Sequence, residues 1–175
     1  DKVFLSNQKV QEGNDQFPWD KDLAFKLYNE AIELNPNNGA AYFNRASVYI
    51  SFQQYSDAVN DLTKAMSLHV DSAILYNNLG HALTELGQYD RAEKYLNKAV
   101  ELNPEYSEAY NNLGVLNIDR RKFDVALEYL KKAESMNTAN DTIYANLGVV
   151  YFELHDYENA LAALNDSIEL NPNIP

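Results

Sequence analysis

An asparagine recurs at a fixed interval of 34 residues along this chain of 175 residues. The four positions, each two residues after a tyrosine, are Asn44, Asn78, Asn112 and Asn146. A side-chain amide offers both a hydrogen-bond donor and an acceptor, so it can pair with the N–H and C=O groups of a peptide irrespective of the peptide's sequence. The spacing therefore predicts a ladder of amides that holds an extended peptide backbone. The alternative, that these asparagines bridge neighbouring segments or solvate a polar face, stays open.

Further polar side chains accompany this column. Asn77 and Asn111 directly precede two of the asparagines, and acids follow three of them by seven residues, at Glu85, Asp119 and Glu153. Seven residues along a helix return a side chain to within about 20° of the same direction, so acids and amides share one face. Because acids at the C-terminal end of a helix oppose its dipole, they favour a binding role and a ligand with Lys or Arg at intervals. A solvated acidic face is the competing interpretation.

Patterns typical of catalysis are missing from the sequence. The three histidines lack metal-ligand spacing, no glycine-rich phosphate loop is present, and the absence of cysteine removes disulfides and thiolate chemistry. His81 is therefore interpreted as a surface or groove residue that accompanies the asparagines. We expect no enzyme activity, no metal and no cofactor within this segment.

The net charge of -12 argues against nucleic acid as a partner and favours basic ones. The one basic cluster, Arg120-Arg121-Lys122, is interpreted as a solvated turn near a helix C-terminus. No apolar run is long enough for a membrane span and no signal-peptide pattern is visible, so membrane insertion is not expected. Because the chain begins with Asp1, we expect a segment or a processed product. The compartment is left open between the cytoplasm and, if a targeting segment has been removed, the periplasm or the exterior.

The elements that position these residues share the 34-residue period. Counted from Gly39, four repeats cover 39–72, 73–106, 107–140 and 141–174, and a more divergent first repeat covers 5–38. Small residues recur at the twentieth place, as Ala58, Ala92, Ala126 and Ala160, and leucines at the twenty-fourth, as Leu62, Leu96, Leu130 and Leu164. Two apolar runs of helical period fall in each repeat. The sequence therefore predicts a single all-α solenoid domain, residues 1–175, with two helices per repeat.

These columns resemble the tetratricopeptide repeat family, whose unit is a helix-turn-helix of 34 residues. The match rests on Leu79-Gly80, Leu113-Gly114, Leu147-Gly148, Ala92, Ala99 and Pro104. It departs from the family pattern where Val70 and Thr138 replace the closing proline, where Arg45-Ala46 replaces Leu-Gly and where Asn117 replaces an aromatic residue or leucine. The resemblance implies a right-handed solenoid of about five repeats that acts as a protein-binding or peptide-binding scaffold.

Each first helix of a repeat has two faces at 100° per residue. The third, fourth, seventh, eighth, tenth and eleventh places share a mostly apolar arc, which includes the recurring tyrosines and is predicted to be buried. The second, fifth, sixth, ninth, twelfth and thirteenth places carry the asparagines, the acids and His81. The resemblance implies that these places line a concave groove, similar to the asparagine ladder of O-linked glycosyltransferase solenoids, which holds peptide main chain.

Two alternatives accompany this hypothesis. Chaperone-binding members of the family grip a C-terminal carboxylate with paired Lys, Arg and Asn. Gly13-Asn14 and Asn44-Arg45 match that pattern, but Val10, Ile74 and Asn78 stand where cations are needed, which disfavours the clamp. The second alternative is a structural or self-assembly segment, because no polar capping helix follows Leu170 in this sequence.

Overall fold

Ten α-helices form the described part of the chain, residues 1–137 and 139–172 of a computed structural model, and these residues contain no strand. The helices are α1 Lys2–Gln16, α2 Lys21–Leu34, α3 Gly39–Ser51, α4 Tyr55–Ser67, α5 Ala73–Glu85, α6 Tyr89–Leu102, α7 Ser107–Asp119, α8 Phe123–Met136, α9 Asp141–Glu153 and α10 Tyr157–Leu170. None of these helices is long and apolar enough to cross a membrane. The expectations for Thr138 and for residues 173–175 lie outside the described residues.

The helices fall into two compact units, Asp1–Gln88 and Tyr89–Pro175. In the first unit, α1 to α5 pack in chain order, each against the next. In the second unit, α6 to α10 do the same. The assignment of residues 1–175 to one domain stays a prediction.

The predicted period is visible in the helix boundaries. α3, α5, α7 and α9 begin 34 residues apart and have equal lengths of 13 residues. Between the two helices of a repeat, the fifteenth place adopts a positive φ of 57° to 69°, at Gln53, Gly87, Arg121 and His155. The same left-handed residue therefore reverses the chain in all four repeats, although only one of them uses glycine.

Small residues and leucines form the contact between paired helices, as the sequence predicted. The alanines at the twentieth place and the leucines at the twenty-fourth are fully buried in α4, α6 and α8. A Cβ atom on Gly114 would lie 2.6 Å from Cγ of Leu130. Because this distance is shorter than any ordinary van der Waals contact, glycine lets α7 and α8 approach closely. The recurring tyrosines of the predicted buried arc are half-buried.

Arg45 is the exception on the buried arc, since leucine holds its place in the following repeats. Its Nε and Nη2 donate to the two carboxylate oxygens of Asp61 at 2.7 and 2.8 Å, and its Nη1 donates to Asn29 at 2.6 Å. The hydrogen bonds to Asp61 raise the pKa of Arg45. The departure from the Leu-Gly pattern is thus a bidentate ion pair that links α2, α3 and α4.

Candidate peptide-binding face

The candidate face consists of the second, fifth, sixth, ninth, twelfth and thirteenth places of the first helices, on α3 and α5 in the first compact unit and on α7 and α9 in the second. The asparagines at the sixth place are half-buried, and the acids Glu85, Asp119 and Glu153 are exposed. The third, eighth and tenth places of the same helices are buried. The buried third, eighth and tenth places belong to the predicted apolar arc, whereas the recurring tyrosines of that arc are half-buried like the asparagines. The role of the amides in binding stays a prediction.

In the first compact unit, Asn44 is joined to an asparagine of α1. Asn44 Nδ2 donates to Asn14 Oδ1 at 2.8 Å, and Tyr28 Oη donates to the same oxygen at 3.0 Å. Asn14 was matched to the clamp motif but was not included in the predicted ladder. The first helix of the first repeat is shifted by one residue relative to the frame 5–38. A Cβ on Gly13 would lie 2.5 Å from Tyr28 Cε1, so Gly13 makes the close contact that the eighth place makes in the other repeats. This shift hid the position of Asn14 in the sequence pattern.

In the second compact unit, two members of the predicted set pair with each other. Asn146 Nδ2 donates to Asn111 Oδ1 at 2.9 Å and so connects α9 to α7. This bond uses one donor of Asn146 and one acceptor lone pair of Asn111, and an amide has more of both. The bond orients both amides.

The other three asparagines differ from one another. Asn77 is only 4% exposed and makes an interaction within the protein, so it presents little of its amide to a ligand. Asn112 is half-buried and also has an internal interaction. Asn78 is half-buried, and its side-chain amide forms no hydrogen bond with another described residue. Among the predicted amides, Asn78 therefore reports most directly on ligand binding.

The acidic residues are partly engaged. Glu153 Oε2 lies 3.7 Å from Arg121 Nη2, and Asp119 makes an interaction of its own, whereas Glu85 forms no hydrogen bond or salt bridge with a described residue. An exposed pair such as Arg121–Glu153 leaves both charges largely hydrated. Glu85, Asp119 and Glu153 therefore keep most of their negative charge available to a ligand, and Glu85 has the fewest internal interactions.

His81 is half-buried beside Tyr55, with 5.8 Å between the ring centroids. Burial lowers the pKa of His81 below its ordinary value of 6.5, and the charge of Glu85 opposes that change. The imidazole is therefore neutral at physiological pH and can both donate and accept a hydrogen bond. Within residues 1–137 and 139–172, no three His, Asp or Glu side chains group as metal ligands would.

The interpretation of the basic cluster as a solvated turn is wrong for Arg120. The Arg120 side chain is 13% exposed, and its guanidinium donates to Glu93 Oε2 at 2.7 Å and to Asp90 Oδ1. It also lies 5.9 Å above the ring of Tyr89. Two acids three residues apart, one repeat earlier, were the sequence signal for this pairing.

The last helix exposes a stripe of apolar side chains, which we call the α10 stripe. It consists of Tyr157, Leu161, Leu164 and Ile168, which are 41% to 63% exposed. The leucines at the place of Leu164 in α4, α6 and α8 are fully buried. In α8, the equivalent surface packs against Ile143, Leu147 and Val150 of α9. Leu164 and Tyr157 contact Gly148 and Phe152 of α9, whereas Leu161 and Ile168 remain on a surface that, in α8, contacts the next repeat.

Comparison with known proteins places these features in one family. Models described as tetratricopeptide repeats match residues 39–105, 71–139 and 142–174. Human tetratricopeptide repeat protein 28 is 39% identical over 69 residues, which cover 39% of this chain but only 2% of that protein.

Two solved structures resemble the whole described fold. MamA is 24% identical to this chain with a TM-score of 0.75, and the match covers 96% of this chain and 92% of MamA. At this identity the likeness is evidence for the fold of this chain and not for its function. YrrB, described as a TPR protein with an unusual peptide-binding site, is 26% identical with a TM-score of 0.70, covering 94% and 86%. Together with the ten described helices, these likenesses confirm the predicted all-α tandem-repeat solenoid of about five repeats.

Proposed function

Because the chain belongs to the tetratricopeptide repeat family, whose repeats generally act as non-catalytic protein–protein interaction scaffolds, we propose that its candidate face binds an extended segment of a partner protein. The observation that carries this proposal is the orientation of the amides. Asn44 is held by Asn14 in the first compact unit, and Asn146 is held by Asn111 in the second. Amides that are already oriented lose little conformational entropy when a peptide main chain pairs with them.

The charge of the face favours a basic segment. Glu85, Asp119 and Glu153 are exposed beside the asparagines, and the whole chain carries a net charge of -12. Such a field attracts Lys-rich and Arg-rich segments during encounter and weakens as salt screens it. The peptide-binding site attributed to YrrB, at 26% identity, supports a peptide ligand for a fold of this kind.

The expected affinity is modest. A hydrogen bond contributes about 0.5–1.5 kcal/mol net, and ordering a flexible peptide offsets part of the sum. A few amide pairs and a weak charge term then correspond to a dissociation constant on the order of micromolar.

The test is a peptide array of lysine-containing and arginine-containing sequences, probed with the wild-type chain and with Asn78→Ala. We expect Asn78→Ala to weaken capture while the melting temperature changes little, because the side-chain amide of Asn78 forms no hydrogen bond with another described residue. The matched control is Asn60→Ala, which removes an exposed amide from α4, outside the candidate face.

Equal capture by Asn78→Ala and wild type would contradict the amide ladder, as would an equal loss in Asn60→Ala. A large drop in melting temperature would instead assign Asn78 a structural role. Repeating the array at high salt separates the two contributions, since capture that ignores salt would remove the acids from the proposal.

The carboxylate clamp is further disfavoured by the positions of its cation places. Val10 is buried, and Ile74 and Asn78 carry no charge. The neighbouring Lys9 lies 2.8 Å from Glu12 and 3.3 Å from Glu30, which raise the pKa of its ammonium group and occupy its charge. A C-terminal carboxylate would meet two asparagines here without the cations that make its hydrogen bonds strong.

A second candidate function is association between copies of this chain through the α10 stripe. The observation that favours it is the exposure of Leu161 and Ile168, at 63% and 54%, on a surface that the repeat uses for stacking. In a second copy, α1 exposes the apolar side chains of Val3, Phe4 and Leu5. This association and peptide binding use different surfaces and can occur together.

A further inference from the structure

A pocket of about 440 Å³ opens in the first compact unit, between α2 and the turn that joins α3 to α4. It is lined by Asp22, Phe25, Tyr49, Phe52, Gln54 and Asp57. None of these residues holds one of the six places of the candidate face. The pocket is therefore a separate concave site, beyond the function proposed above.

Aromatic rings and carboxylates make up most of its wall. The rings of Phe25 and Tyr49 meet edge to face with 5.2 Å between their centroids, and Phe52 is 44% exposed. The carboxylates of Asp22 and Asp57 form no salt bridge or hydrogen bond with another described residue. Aromatic faces and carboxylates both attract cations, so this lining selects for positive charge.

Arg45, the cation nearest to the Tyr49 ring, does not neutralise the carboxylates of the pocket. Arg45 lies 5.7 Å from the centre of the Tyr49 ring, but its guanidinium is held in a bidentate pair by Asp61. Burial raises the pKa of Tyr49, Arg45 lowers it, and the charges of Asp61 and Asp57 raise it further. The negative charge of Asp57 therefore acts on the phenol of Tyr49, which lines the pocket.

The repeat itself shows what fits this location. Two periods later, in the second compact unit, Asp90 and Glu93 hold the places of Asp22 and Phe25, and Arg120 holds the place of Phe52. There the Arg120 guanidinium donates to both acids and lies over the ring of Tyr89. The equivalent location thus accommodates a guanidinium beside an acidic side chain at the eighteenth place. The ring beneath it, Tyr89, holds the place of Lys21, so in the pocket the aromatic faces come from Phe25, Tyr49 and Phe52 instead.

We propose that the pocket of the first unit binds the guanidinium of an arginine side chain from a partner protein. Phe52 replaces the internal arginine, so the pocket is open, while Asp22 is retained and Asp57 adds a second carboxylate. A planar guanidinium stacks on aromatic faces and forks onto carboxylates, which an ammonium group cannot do as well. Arginine is therefore preferred to lysine at this site.

The test uses three small probes: N-acetyl-arginine amide, its neutral isostere N-acetyl-citrulline amide, and N-acetyl-lysine amide. Each is titrated into the isotopically labelled chain and followed by amide chemical shifts. We expect the arginine probe to shift resonances of residues 22–25 and 49–57 and to bind about fivefold or more tightly than the citrulline probe, the effect of one moderate cation–π contact. Equal binding of arginine and citrulline, or no shift in these segments, would overturn the proposal, and equal binding of lysine would overturn the guanidinium preference.

Two variants and a matched control sharpen the result. Phe52→Arg supplies an internal guanidinium in the manner of Arg120 and is expected to abolish probe binding, and Asp22→Asn is expected to weaken it. Asp124→Asn changes an exposed acid at the same repeat place, where Leu127 and Leu154 hold the places of Phe25 and Phe52, and is expected to leave binding unchanged. Undiminished binding by Phe52→Arg with a native circular dichroism spectrum would place the probe elsewhere. Because the asparagines are untouched, failure here leaves the candidate face untested and intact.

Discussion

The residue with positive φ in each inter-helix turn has a backbone conformation that a side chain makes unfavourable. Gln53 and Gly87 hold the same place with φ of 58° and 69°. An L-residue in this region is strained by about 1–2 kcal/mol, which glycine avoids. Glycine loses more conformational entropy on folding, which offsets about 0.5–1 kcal/mol of that gain. We expect Gln53→Gly to raise the free energy of unfolding by about 0.5–1 kcal/mol, measured by urea denaturation.

The reciprocal variant is Gly87→Ala, for which an added Cβ would meet no atom within 4 Å. Any loss of stability therefore reports the backbone conformation alone, and we expect about 1 kcal/mol. If both variants shift the unfolding free energy in the same direction, the conformational explanation is wrong.

His81 makes stability depend on pH. Burial lowers its pKa in the folded chain below the ordinary value of 6.5, so the unfolded chain binds the proton first. Stability is then highest above pH 6.5 and falls as pH decreases through the interval between the unfolded and folded values. We expect His81→Gln to flatten this part of the profile in thermal unfolding between pH 7.5 and about 5. His69→Gln, at an exposed turn, is the control that should keep the wild-type slope.

The amides show how far single residues could be predicted. The period and the helical wheel predicted Asn44 and Asn146 on the face opposite the buried arc, and both are half-buried. Their pairing with Asn14 and Asn111 was not predictable, because it depends on how closely successive first helices approach. The burial of Asn77 was also missed, because the helical wheel assigns the fifth place to the open face. Whether these amides bind a peptide is a prediction that only binding measurements can test.

At the scale of helices, the Arg45–Asp61 pair replaces an apolar contact. Both side chains are largely buried, and removing one partner leaves the other charge without compensation. We expect Arg45→Leu to lower the free energy of unfolding by about 3 kcal/mol. The double variant Arg45→Leu, Asp61→Leu restores an apolar contact and is expected to lie within about 1 kcal/mol of wild type. Additive losses in the double variant would show that the ion pair is not the reason for the first loss.

Helix boundaries were the most predictable feature at this scale. The first helices α3, α5, α7 and α9 begin at the same place of their repeats, whereas α1 begins three residues before the predicted first repeat of 5–38. Departures from the pattern were noticed in the sequence, but their partners were not. Arg45 and Arg120 each join acids on other helices, and the cation-attracting pocket appears where Phe52 takes the place of such an arginine.

At the scale of the whole molecule, the same repetition explains why the sequence predicts the fold and why it does not identify the ligand. Most columns that make the repeat recognisable lie in the buried arc, on the buried side of the second helices or in a turn, where neighbouring repeats impose them, and the asparagine column is the exception. Most residues of the candidate face are exposed or half-buried, although Asn77 and Thr84 are buried, so packing between repeats specifies few of their residue types. The family and the solenoid class could therefore be predicted from the sequence, whereas the partner's identity could not.

The α10 stripe leads to the last prediction, which concerns copies of the chain. In α8 the corresponding surface is covered by α9, and an exposed contiguous apolar surface favours association. We expect the wild-type chain to sediment faster as its concentration rises, and Leu161→Glu to sediment as a monomer throughout, because a carboxylate in the contact would be desolvated. Leu102→Glu is the matched control, since it changes a 43% exposed leucine of α6 outside the stripe. Concentration-independent sedimentation of the wild type, or equal dissociation by Leu102→Glu, would exclude association through α10 and leave peptide binding as the sole proposed function.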